Sequence, residues 1–109
     1  MTQLFNDLEA VLGEFKLKPE TDVQSARGRI CHVPADGINI KFVKDSRREY
    51  AEFYHNSGKR IATFEVKGMS VEATYFQDNQ PKNVQNVAEP QVYMRAILRK
   101  ELPHYQKAV

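Results

Sequence analysis

Between Arg48 and Gln77 the chain alternates apolar and polar residues with period two through three successive runs. In 49–55, Ala51, Phe53 and His55 share one parity, and Tyr50, Glu52 and Tyr54 the other. In 60–67, Ala62, Phe64 and Val66 oppose Ile61, Thr63 and Glu65. In 69–77, Met69, Val71, Ala73 and Tyr75 oppose Ser70, Glu72, Thr74 and Phe76. The cluster Asn56-Ser57-Gly58-Lys59 separates the first two runs, and Gly68 the last two. Successive side chains of a strand point to opposite faces, so this pattern predicts an antiparallel meander with one covered face. The more apolar parity, with Ala51, Phe53, Ala62 and Phe64, should be the covered one.

Two further strands should precede the meander, over 28–33 and 38–43. They are joined by Pro34-Ala35-Asp36-Gly37, where proline presets φ and glycine tolerates a left-handed backbone. Residues 3–16 carry Leu4, Phe5, Leu8, Val11, Leu12 and Phe15 at the spacing of one helical face, with Thr2 as the expected N-cap. Pro90 opens a second helical stripe of Tyr93, Met94, Ile97, Leu98 and Leu102, which Pro103 should end, leaving 104–109 to fray. The polar segments 19–24 and 78–89 read as loops, the second as the most irregular part of the chain. The expected fold is therefore α+β, with an antiparallel meander of about five strands covered on one face by the N-terminal and C-terminal helices. All 109 residues form a single domain by size. Leu8, Leu12, Phe42, Phe64, Val71, Ile97 and Leu98 should be core residues.

Charge and cysteine content narrow the function only a little. The net charge is +2, with mildly basic blocks at 27–60 and 92–109 between acidic ones. Cys31 is the sole cysteine, so no internal disulfide forms. No leader-like run opens the sequence, and no stretch approaches the ~20 apolar residues of a membrane span, so a cytoplasmic protein without a membrane partner is the expectation.

No motif of catalytic or nucleotide-binding spacing is present. Cys31 and His32 are strand neighbours and should point to opposite faces, which prevents a Cys–His pair. His32, His55 and His104 lack metal-ligand spacing. Glu52, Glu65 and Glu72 fall on three successive strands, where pairing with Lys or Arg explains them better than acid–base chemistry. No catalytic residue, cofactor or metal is therefore expected, and the reading leans away from an enzyme.

What remains is surface. Tyr and Arg are the residue types most enriched where proteins meet. An uncovered sheet face with Arg48, Tyr50, Tyr54 and Arg60 predicts a small protein-binding domain of the inhibitor, adaptor or immunity type. The alternative is a nucleic-acid-binding accessory protein, with Arg47, Arg48, Lys59 and Arg60 forming one basic patch beside aromatic residues. A small enzyme with a dispersed site is the third reading.

Overall fold

The computed structural model describes residues 3–102. Helix α1 (Gln3–Glu14) leads into seven strands: β1 (Thr21–Ser25), β2 (Gly28–Pro34), β3 (Ile38–Lys44), β4 (Glu49–His55), β5 (Arg60–Lys67), β6 (Ser70–Gln77) and β7 (Gln80–Val87). Helix α2 (Pro90–Glu101) follows. Each strand pairs antiparallel with the next, so the sheet order is the chain order. The fold is α+β with an antiparallel sheet. It departs from the expectation in having seven strands rather than five, and helices slightly shorter than 3–16 and 90–102. The expected N-cap Thr2, the stop at Pro103 and the tail 104–109 lie outside the described residues.

Alternation decides which face is covered. Ala51, Phe53, Ala62, Phe64 and Ala73 are completely buried, as are Ile40 and Cys31. Against them lie Leu4, Leu8, Val11 and Leu12 of α1 and Met94, Ile97 and Leu98 of α2. The small alanines on β4, β5 and β6 leave room for Phe53 and Phe64, whose rings meet edge to face at 5.8 Å. Six of the seven expected core residues are buried; Val71 is only partly so, because it sits at the end of β6, where the sheet opens into a groove.

The two helices run side by side with their N-termini at the same end. Gln91 Nε2 donates to Asp7 Oδ1 at 2.9 Å near the start of both, and Arg95 Nε donates to Glu14 Oε2 at 3.0 Å further along. Arg99 and Lys100 occupy the last turn of α2, where the helix dipole favours cations.

The two additional strands replace the expected loops. β1 takes over most of 19–24, and β7 takes over most of 78–89. Both are edge strands, exposed along nearly their whole length, so neither needs an apolar face. The β6–β7 connection is a two-residue turn in which Asp78 (φ 53°) and Asn79 (φ 62°) both adopt left-handed conformations. That is the signature of a type I′ hairpin, whose twist matches that of paired strands.

Candidate functional site: the uncovered sheet face

Neither helix covers the second face of the sheet. Register builds a cross-strand row on it: Val23 opposite Ile30, Ile30 opposite Val43, Val43 opposite Tyr50, and Tyr50 opposite Glu65. The first four of these are apolar or aromatic. Val23 is 56% exposed and Ile30 51%, while Val43 and Tyr50 are half-buried by their neighbours. Sequence reasoning found Tyr50 and missed the rest of the row. The signal lay in the hairpin turns, since the turns at 34–37 and 44–48 set the register that aligns Ile30, Val43 and Tyr50.

Each expected protein-contacting residue is on or beside this face. Arg48 sits over the Tyr50 ring at 4.4 Å and grips Glu65 with two hydrogen bonds, Nε to Oε2 at 2.8 Å and Nη2 to Oε1 at 3.1 Å. That clasp pulls the Glu65 carboxyl below its ordinary pKa. Tyr54 shares a 3.0 Å hydrogen bond with His32 across the intervening strand β3. Partial burial raises the Tyr54 phenol, and the charge of Glu52 adds to the effect. Arg60 lies opposite Tyr54, stands over the Phe76 ring at 4.3 Å, and donates from Nε to Asn79 Oδ1 at 3.3 Å. Ile61 shares this strand but packs on the core cluster, because a β-bulge opposite Phe53–Tyr54 makes it the extra residue.

The four cations expected to make one basic patch are split. Arg47 and Arg48 precede β4, while Lys59 and Arg60 follow it, so seven strand residues, ~23 Å at the usual rise, separate the two pairs. A different cationic cluster forms at the β1–β2 and β3–β4 turns. There a groove of 910 Å³ is lined by Arg27, Arg29, Lys44 and Arg47, with Phe5 among its other lining residues. Arg29 is engaged with Asp22 at 2.6 Å and lies 3.8 Å over Phe5. Its hydrogen bonds hold the Asp22 carboxyl low. Asp45 beside the groove accepts backbone N–H bonds from Arg47 and Arg48 and is likewise lowered.

The residues considered for catalysis are dispersed. Burial pushes the Cys31 thiol up, away from the reactive thiolate. His32 is on the uncovered face, whereas His55 approaches Glu101 of α2 at 3.8 Å, so the two histidines share no site. Glu65 and Glu72 face each other on β5 and β6, with Glu65 already held by Arg48. Among the described residues no group of three or more His, Cys, Asp or Glu could hold a metal ion. No described helix is long and apolar enough to cross a membrane.

Comparison with protein-family models, with curated proteins and with solved structures found no match for this chain.

Proposed function

We propose that the chain is a small non-enzymatic binding domain whose uncovered sheet face docks a protein partner, in the manner of an inhibitor, adaptor or immunity-type factor. The observation that carries this reading is the row Val23–Ile30–Val43–Tyr50, which leaves apolar side chains side by side on a face that neither helix covers. Contiguous exposed apolar surface marks interaction sites, whereas isolated apolar residues are ordinary. Arg48 and Tyr54 flank the row as anchors, one already oriented by Glu65 and the other by His32. Side chains fixed before binding lose less entropy on association.

Photoreactive residues at Ile30 and, as a control, at the exposed Ala10 of α1 test this reading in the cells from which the chain comes. A discrete protein adduct is expected from Ile30 and not from Ala10, and Tyr54→Ala should weaken it while shifting Tm by only a few degrees. Equal labelling from both positions, or a chain that unfolds on Tyr54→Ala, would end the proposal.

A second reading rests on the basic groove. Arg27, Lys44 and Arg47 surround it at the turns, and no ion pair of theirs is seen among the described residues. Single-stranded nucleic acid bound there would show a log–log salt slope of about −0.7 per neutralised phosphate. Replacing Arg27 and Arg47 with alanine should flatten that slope, whereas replacing Lys59 and Arg60 should leave it unchanged. Absence of binding to mixed oligonucleotides at low salt would remove this reading.

A further inference from the structure

A second groove lies on the helix side of the sheet, away from the proposed docking face. It has a volume of 1020 Å³ and sits where the N-terminal halves of α1 and α2 meet the ends of β4, β5, β6 and β7. Its walls are largely apolar, with Leu4, Val66, Val71, Val87 and Val92 among them. Three acidic residues interrupt these walls: Asp7 from α1, Glu49 from β4, and the exposed Glu89 just before α2. Asp7 is 4% exposed, and its Oδ1 accepts hydrogen bonds from Gln3 Nε2 at 3.0 Å and Gln91 Nε2 at 2.9 Å.

Glu49 is different. It is 9% exposed, and its buried Oε2 has no hydrogen-bond partner. Its register neighbour Lys44 acts on it through charge but forms no ion pair with it, and Arg95, the one described cation on this groove's wall, is held by Glu14. Buried carboxylates are ordinarily paired or fully hydrogen-bonded, so an orphaned carboxylate oxygen in a groove marks a place for a donor from outside.

We propose that this groove binds a cationic head group on an apolar stem, an alkylammonium or alkylguanidinium, with Glu49 and Asp7 receiving the head and the apolar walls enclosing the stem. An ammonium offers three N–H donors and a guanidinium five, and either supplies the charged donor that Glu49 Oε2 lacks. Among the described residues no group of three or more Asp, Glu, His or Cys is placed to hold a metal ion, so a cationic organic head fits this pair better than a metal ion. A free amine and a lysine or arginine side chain of another protein carry the same chemistry.

Titration of the isotope-labelled chain, followed by NMR, tests the site. The probes are pentylamine, butylguanidine, a blocked Gly-Lys-Gly peptide, and pentan-1-ol as the neutral counterpart. Saturable shifts are expected at Ser70, Val87 and Gln91, with the amine at least about tenfold tighter than the alcohol. Glu49→Gln, which keeps the shape and removes the charge, should abolish most of that preference. Binding of the peptide as well as the free amines would identify a side chain as the ligand's source, and binding of the free amines alone a small molecule; both support the site. Should Glu49→Gln fail to fold, the comparison of amine with alcohol on the native chain still decides. Equal affinity for amine and alcohol, or no saturable shift with any probe, would overturn the proposal.

Discussion

At the scale of single residues, burial separates what each side chain contributes. Phe64 is fully buried against Phe53, and its truncation should leave a void the surrounding sheet cannot close. Phe64→Ala is expected to cost ~3–5 kcal/mol in a urea melt, and a loss below ~1 kcal/mol would contradict its core position. Glu49 works in the opposite sense. Burial raises the affinity of its carboxyl for a proton in the folded chain, although the charge of Lys44 partly opposes this. Below the ordinary glutamate range both folded and unfolded chains hold that proton. As pH rises through the range, the unfolded chain releases its proton first and the folded state loses stability. Glu49→Gln cannot lose that proton, so its Tm should exceed that of the native chain at neutral pH, and the advantage should vanish in acid. A native chain that melts higher at neutral pH would mean that Glu49 is paired. Phe64 was legible in the sequence from alternation alone. Glu49 has the parity of Ala51 and Phe53 and so was equally placed by the pattern, but a charge at a strand end reads as solvent-facing until the helices above it are known.

At the scale of elements, legibility follows burial. The central strands announce themselves because one face of each is core. β1 and β7 have no such face: Thr21–Ser25 is exposed throughout, and of β7 only Val87 is buried. Edge strands of this kind carry no periodic signal, and Pro81 and Lys82 on β7 are the residues that discourage pairing with another sheet. What holds β7 in register is the turn at Asp78-Asn79. A β-branched side chain is strained in the left-handed region, so Asn79→Val should cost ~1–2 kcal/mol, while Asn79→Gly should be tolerated. Equal stability of the two variants in denaturant melts would show that the turn does not control this hairpin. Gly28 makes a comparable demand at the start of β2. It has φ of +152°, and a Cβ there would lie 2.0 Å from the carbonyl oxygen of Lys44. Gly28→Ala must therefore push β2 away from the end of β3, and lowered Tm with a disturbed basic groove is the expected result.

At the scale of the molecule, stability should grade outward from the centre of the sheet. β3, β4 and β5 carry Ile40, Phe42, Phe53 and Phe64 into the core, whereas β1 and β7 contribute little buried surface beyond Val87. Local opening follows buried contacts, so amide protons of β3, β4 and β5 should exchange slowest, those of β1 and β7 fastest. Each edge strand also presents one row of backbone groups with no neighbouring strand among the described residues. The β1 edge adjoins Val23 and Ile30, so backbone and apolar side chains are offered together at one border of the uncovered face. Hydrogen exchange on the isolated chain, measured at low and high protein concentration, distinguishes two uses of that border. Fast exchange in β1 at both concentrations is expected if the sheet face awaits a different protein. Protection of β1 that grows with concentration would instead mean that the edge pairs with a second copy of the chain, and the row from Val23 to Tyr50 would then be part of a homodimer.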